Sequence, residues 1–267
     1  VTELQLIVLA VIQGITEFLP ISSSGHLVLV PHVFGWPDQG LSMDVAVHVG
    51  TLFAVMGYFY RDSKKLFVGF GQCCTGRIHT PSARLFLLVA LATLPVLAIG
   101  LIVKKVFGDS LRSMDVIAYS SIVFGVLLWW ADRYGRVRLS MAQMGWRHAL
   151  YMGMAQCLAL IPGASRSGVT MMAARGLGYN REESAQFSMI MAIPTIMAAG
   201  ALIGLDVYEN GGIDAWQPLL MGAAVSCLTA VLAIHGLMVW LKKCSFTPFV
   251  VYRVVLGIFL LGLSYTS

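Results

Sequence analysis

Gln13-Gly14-Ile15-Thr16-Glu17-Phe18-Leu19-Pro20-Ile21-Ser22-Ser23-Ser24-Gly25 lies, without a gap, over Gln156-Cys157-Leu158-Ala159-Leu160-Ile161-Pro162-Gly163-Ala164-Ser165-Arg166-Ser167-Gly168. The offset is 143 positions, and Gln, two serines and the final glycine coincide. Each stretch interrupts an apolar helical pattern with a proline and a serine-rich break. At the same offset Gly35-Trp36 falls on Gly178-Tyr179, so the duplication continues past the break. Two broken helices at matching places in two halves point to a polar site inside a membrane.

The chain is 58% hydrophobic and 12% charged, with mean hydropathy +0.79. A soluble domain carries about 25% charged residues, so the composition excludes one and marks a membrane protein. Six apolar stretches are long enough to span a hydrocarbon core of about 30 Å: Met43 to Tyr60, Leu85 to Val103, Val116 to Ala131, Glu183 to Leu205, Pro218 to Leu241 and Pro248 to Leu263. The broken segments do not fit that rule. After each break about 11 or 12 residues remain before Gly35 or Gly178, roughly 18 Å of helix. Each therefore reads as a re-entrant helical hairpin whose irregular tip is buried in protein or lines a cavity. The expected fold is an all-α polytopic membrane protein, one integral-membrane domain over 1–267. It has six transmembrane helices and two re-entrant hairpins in an inverted-topology repeat, with halves of about 1–135 and 144–267.

Charge sets the orientation. No Lys or Arg precedes Arg61, while Arg61, Lys64, Lys65, Arg77 and Arg84 crowd the first long loop, which is expected in the cytoplasm. Alternation puts Arg133, Arg136, Arg138, Arg147, Arg175, Arg181, Lys242 and Lys243 on the same side. Lys104, Lys105, Arg112 and the acidic Asp206-to-Asp214 loop fall opposite. The first hairpin then opens outward and the second inward. This bias accounts for the net charge of +5, so no nucleic-acid partner is implied. The five cysteines, with Cys73-Cys74 adjacent, show neither paired spacing nor a metal pattern, and free thiols are expected. The N-terminal stretch lacks a basic region and a small-residue cleavage site, so it is expected to belong to the fold.

Gln13 and Glu17 share one face of the first half-helix. An ionisable group at membrane depth is costly enough to be a functional candidate; the alternative is a tolerated carboxyl near the outer interface. Ser22, Ser23 and Ser24 open the second half-helix, with Gly25 and His26 in its first turn. One serine suits capping, one packing or phosphate binding at a helix N-terminus, and one chemistry. His26 could serve as a general acid or base, or equally as a structural hydrogen-bonder. Nothing marks His32, His48 or His79 as catalytic. Asp44 and His48 share a helical face at the start of the first span and could support the site from behind, though interfacial solvation is the better reading.

Arg166 takes the place of Ser23 in the second break. A guanidinium at a buried tip needs a partner, and its fork suits phosphate or carboxylate oxygens; a structural salt bridge to Glu17 is the alternative. Glu17 aligns with Leu160, so one hairpin brings carboxylate and hydroxyl and the other brings the cation. That inequality implies one composite site near mid-membrane. Elsewhere, Asn180 and Glu183 read as a capping box opening the fourth span, with Arg181 as its cytoplasmic flank.

Glu17-Phe18-Leu19-Pro20-Ile21-Ser22-Ser23-Ser24-Gly25-His26 and Pro162-Gly163-Ala164-Ser165-Arg166-Ser167-Gly168 closely resemble the two signature segments of the bacitracin-resistance family of bacterial undecaprenyl-diphosphate phosphatases. The resemblance extends over nearly the whole chain, including Ser245-Phe246-Thr247-Pro248-Phe249 to Arg253. It implies removal of the terminal phosphate of undecaprenyl diphosphate at the outer face of the bacterial inner membrane, yielding the monophosphate carrier of wall synthesis. It maps the family's acidic motif onto Gln13 and Glu17, its catalytic serine onto Ser23, its histidine onto His26 and its phosphate-binding arginine onto Arg166. Gln13 stands where some relatives carry a second glutamate. The candidates for holding substrate are Gln13, Ser22, Ser24, Gly25, Ser165, Ser167 and Gly168. A divalent metal, magnesium or calcium, is implied on Glu17 with diphosphate oxygens and water. The implied partners are the polyprenyl diphosphate lipid and the bilayer, with a homodimer as a further option.

The favoured chemistry is in-line attack by Ser23 on the terminal phosphorus, with metal and Arg166 neutralising its oxygens and His26 or Glu17 moving the proton. Direct attack by water and a histidine nucleophile stay open. The competing class is an inverted-repeat transporter or polyprenyl-phosphate flippase. The Glu, Ser, His and Arg set favours an enzyme, because moving an anion needs no nucleophile.

Overall fold

Pro20 and Pro162 end their helices for the same reason: each lacks an N–H and disfavours helical backbone in the residue before it. In the computed structural model, which describes residues 2–37, 40–107, 113–210 and 216–266, α1 (Glu3–Thr16) accordingly stops short of Pro20, and α2 (Ser23–Phe34) begins beyond it. The second copy matches it with α7 (Trp146–Gln156), a 3-10 turn (Cys157–Leu160) and α8 (Arg166–Leu177). Ser22 (φ 72°) and Ser165 (φ 68°) are the two non-glycine residues with positive φ among the described residues, and they sit at equivalent places before α2 and α8. Such backbone costs about 1–3 kcal/mol and persists where its surroundings enforce it. Gly35 and Gly178, both left-handed, close α2 and α8. At 12 residues, or roughly 18 Å, neither helix can cross a bilayer.

The remaining described chain is also helical: α3 (Leu41–Tyr58), α4 (Tyr60–Cys74), α5 (Pro81–Phe107), α6 (Met114–Tyr134), α9 (Arg181–Asn210), α10 (Trp216–Leu241) and α11 (Thr247–Thr266). No strand occurs among the described residues, only an isolated bridge between Leu139 and Tyr179. Among the described residues four helices are long and apolar enough to cross a membrane, over Pro81–Val103, Met114–Tyr134, Gln217–Leu241 and Thr247–Tyr265. Their outer faces expose Leu94, Leu101, Val123, Leu228, Leu232 and Ile258, an apolar surface that lipid would cover.

The stretch from Met43 makes a fifth span only if α3 and α4 count together, and they meet at a 98° bend. Here the basic segment expected as a loop is mostly helix. Ser63, Leu66 and Gly69 recur at three-residue spacing on the buried face of α4, and Gly69 lets α4 approach Ser82 on α5 more closely than a Cβ would permit. The stretch from Glu183 lies in the 30-residue α9. Ser184, Ala185, Phe187 to Ile193 and Ile196 are buried there, so α9 is central to the described bundle. Asn180 caps it as expected: its Oδ1 accepts from Glu183 N at 2.8 Å and its Nδ2 donates to Glu183 Oε2 at 3.0 Å.

Packing holds the two breaks face to face. α1 lies on α10 and α7 on α5, while α3 packs against α9 and α6 against α11. These approaches are close: a Cβ at Gly14 would strike Thr229 Oγ1, and one at Gly153 would lie 2.5 Å from Ala92 O. Small residues allow such contact where apolar burial alone gives helices no preference for one another over lipid.

Arg175, counted in the sequence only among the basic residues of the cytoplasmic side, is buried at 4% exposed. Its Nε donates to Asp132 Oδ1 at 3.0 Å, and its guanidinium also serves the carbonyls of Asp132, Gly135 and Tyr179. Arg181 joins the same Asp132 oxygen at 2.8 Å, and Asp132 Oδ2 accepts from Phe246 N. A buried carboxylate thus ties α6, α8, α9 and the start of α11. Arg112 and the residues 211–214 of the acidic loop lie outside the described residues.

Candidate active site

Glu17 is the centre on which both breaks converge. It follows the last residue of α1, 7% exposed. Its Oε2 accepts from Ser23 Oγ at 2.7 Å and from Gln13 Nε2 at 2.9 Å, and its Oε1 accepts from Arg166 Nη2 at 3.0 Å. The structure therefore brings Gln13, Glu17, Ser23 and Arg166 together, although 149 positions separate Glu17 from Arg166. Ordinary helical register explains Gln13, four residues back on one face. Ser23 reaches Glu17 because the chain reverses between Pro20 and the strained Ser22.

Arg166 is set from three sides. Beyond Glu17 it donates through Nη1 to Ser188 O at 3.2 Å, and its guanidinium lies 6.0 Å from the Phe18 ring centre. The second tip is fastened to the first by Ser167 Oγ, which donates to Leu19 O at 2.9 Å. Ser165 Oγ caps α8 by accepting from Gly168 N at 3.2 Å and lies 3.1 Å from Ser167 Oγ. Ser22 Oγ and Ser24 Oγ are 3.4 Å apart.

These groups line a cavity of about 480 Å³. Its polar wall holds Glu17, Ser22, Ser23, Ser24, Asp44, His48, Gln156, Ser165 and Arg166, and its apolar wall includes Leu27, Val28, Val45, Val96, Leu160 and Ile196. An anionic head and an apolar tail both find matching surfaces here. Gly25 and Gly168 stand behind the wall: a Cβ would lie 3.2 Å from Ile117 on the first and 2.8 Å from Arg253 Nη1 on the second.

His26 does not line this cavity. Its Nδ1 is 2.7 Å from Ser22 O, which fixes that nitrogen as a donor, and its Nε2 meets Tyr252 Oη, with the two rings stacked 5.6 Å apart. Both nitrogens are engaged. The histidine that does face Glu17 is His48, with Nε2 at 3.5 Å from Oε2. Its spacing from Asp44 was visible in the sequence, but nothing there placed α3 across from the break. Ser188 was likewise unmarked, and Gln156 and Arg253 were noted only in the repeat and the resemblance without a role, since such roles depend on which helices meet.

Among the described residues no group of three His, Cys, Asp or Glu side chains stands together to hold a metal ion. The hard oxygen donors on the wall are Glu17 and Asp44.

The family described as bacitracin resistance protein BacA matches residues 6–259. A protein of Jannaschia sp. (strain CCS1) named undecaprenyl-diphosphatase is 48% identical over 261 residues, covering 97% of this chain and 98% of its own. One of the same name from Dinoroseobacter shibae is 48% identical over 99% of this chain and 100% of its own. A third, from Alcanivorax borkumensis, is 48% identical over 96% and 97%.

Proposed function

The chain belongs to the bacitracin resistance protein BacA family, and we infer that it is a membrane phosphatase. It hydrolyses undecaprenyl diphosphate to undecaprenyl phosphate and inorganic phosphate, recycling the lipid carrier of cell-wall synthesis. The observation that carries this reading is the convergence of Ser23 and Arg166 on Glu17 in a cavity with one polar and one apolar wall. A nucleophile beside a carboxylate, facing a guanidinium, is the equipment of phosphoryl transfer. The relatives named above are phosphatases by name and none is a transporter.

In this mechanism Arg166 binds oxygens of the terminal phosphate, exchanging part of its contact with Glu17 for the substrate. Ser23 Oγ passes its proton to Glu17 Oε2, 2.7 Å away, and attacks the terminal phosphorus. The Oγ–P bond forms as the anhydride P–O bond breaks, and undecaprenyl phosphate leaves with that bridging oxygen. Water then attacks the phosphoserine, releasing inorganic phosphate and restoring the hydroxyl. N–H groups at the starts of α2 and α8 add donors for phosphate oxygens. The occupied nitrogens of His26 argue against a histidine nucleophile and give it the task of fixing the first turn of α2. A magnesium or calcium ion would be held by the Glu17 carboxylate, a hard oxygen donor on the cavity wall. When bound it supplies charge neutralisation at the reacting phosphate.

The same reading sets the protein in the bacterial inner membrane with six spans, two re-entrant hairpins and inverted halves of about 1–135 and 144–267. Its cavity opens to the periplasmic side. The matched strain at Ser22 and Ser165 supports the repeat, and the Lys and Arg distribution supports the orientation. Purified protein in detergent should release phosphate from polyprenyl diphosphate and lose that activity with a chelator, regaining it with magnesium or calcium. Lipid movement without phosphate release would identify a transporter instead.

A further inference from the structure

Arg253, on α11, is the largest fully buried side chain among the described residues. A buried cation is costly unless paired and hydrogen-bonded. No carboxylate pairs with it among the described residues. Its Nη2 donates to Gly163 O at 3.0 Å and to Ala164 O at 2.9 Å, while Nε and Nη1 have no partner. The guanidinium fills the space that Gly168 leaves under the first turn of α8, where a Cβ would lie 2.8 Å from Nη1. From α6, Ser120 Oγ donates to Pro162 O and Ser121 Oγ to Gly163 O.

Three successive carbonyls of the second tip are thus consumed by donors on α6 and α11. A carbonyl oxygen turned toward a phosphate would repel it, so a tip whose carbonyls are held elsewhere meets an anion with N–H groups and Arg166. The charge of Arg166 is matched by Glu17, whereas that of Arg253 is not, and its field acts through a few ångströms of low-dielectric protein.

We propose that Arg253 is a positioning residue of the diphosphate site: it anchors the Gly163 and Ala164 carbonyls behind the second tip and biases that tip toward an anionic head. The proposal rests on the phosphatase reading. Arg253 touches the tip and does not line the cavity, so it acts through Arg166 and the start of α8.

The test is steady-state phosphate release from polyprenyl diphosphate by Arg253→Met and Arg253→Lys, in the wild-type background and with Arg166→Lys. Arg253→Met is expected to lower kcat/KM about a hundredfold with an unchanged size-exclusion profile, the scale of losing one preorganised donor. Arg253→Lys should restore about tenfold of that, because an ammonium still reaches carbonyl oxygens. In the Arg166→Lys background the effect of Arg253→Met should shrink to a few-fold, since residues acting as one unit are not additive. A rate within about threefold of wild type, or the same fold-loss in both backgrounds, overturns the proposal. If Arg253→Met does not fold, Arg253→Lys decides rather than Gly168→Ala, because a Cβ at Gly168 also presses on the Ser165 side chain that caps α8. A loss of about tenfold or more supports the proposal and an unchanged rate overturns it. A wild-type protein that releases no phosphate defeats the phosphatase reading and this proposal together, which separates the two failures.

Discussion

Replacing Glu17 with Gln tests the centre of the site while leaving its shape intact. The carboxylate accepts from Ser23 at 2.7 Å, Gln13 at 2.9 Å and Arg166 at 3.0 Å. An amide has one acceptor oxygen, so its NH2 must face either Arg166 on the Oε1 side or Ser23 and Gln13 on the Oε2 side. In both orientations a donor loses its acceptor, at about 1–3 kcal/mol. Arg166 is not stranded by this, since it keeps Ser188 O at 3.2 Å and its side chain stays 14% exposed. The fold is therefore expected to survive. The reaction is not: without a carboxylate to take the Ser23 proton and hold Arg166 in place, losing such a transition-state contact costs about 3–4 kcal/mol, a hundredfold or more in rate. The assay is phosphate release against lipid concentration in detergent, with size-exclusion and thermal melting as controls for folding. Turnover by folded Glu17→Gln within about fivefold of wild type would refute the role given to this carboxylate.

Ser23→Ala should abolish turnover while leaving substrate affinity largely intact, and quenched wild-type enzyme should carry phosphoserine at Ser23; a substantial maximal rate in the mutant would move the attack to water. His48→Gln, which alters the ring 3.5 Å from Glu17, is expected to lower kcat about tenfold, the scale of one charge-assisted contact. The exposed His32→Gln should leave kcat unchanged, and equal behaviour of the two variants would remove His48 from the site. Cys73 and Cys74, at the end of α4, should react with an impermeant thiol reagent only from the cytoplasmic side. Labelling in intact cells would reverse the orientation.

The two breaks were legible in the sequence because their causes are local. Pro20 and Pro162 disfavour helical backbone just before them, a serine caps the second of the helices that follow, with Ser165 Oγ accepting from Gly168 N while Ser22 makes no such side-chain bond at α2, and short apolar remnants cannot cross a bilayer. Helical register likewise joined Gln13 to Glu17, and hydropathy marked the four spans that meet both length and apolarity. The repeat offset even brought Ser23 and Arg166 into one hypothesis, since equivalent places in paired halves face a common axis. What the chain alone did not disclose depends on which helices meet. The spacing of Asp44 and His48 looked like interfacial solvation until α3 was seen against the first break. Arg175 counted only toward the basic cytoplasmic side until Asp132 was found beside it, and His26 was drawn away from the cavity by Tyr252, 226 positions along the chain. Local steric rules act over a few residues and are written in sequence. Pairing of buried charges acts through space, and only the packed helices bring those partners within reach.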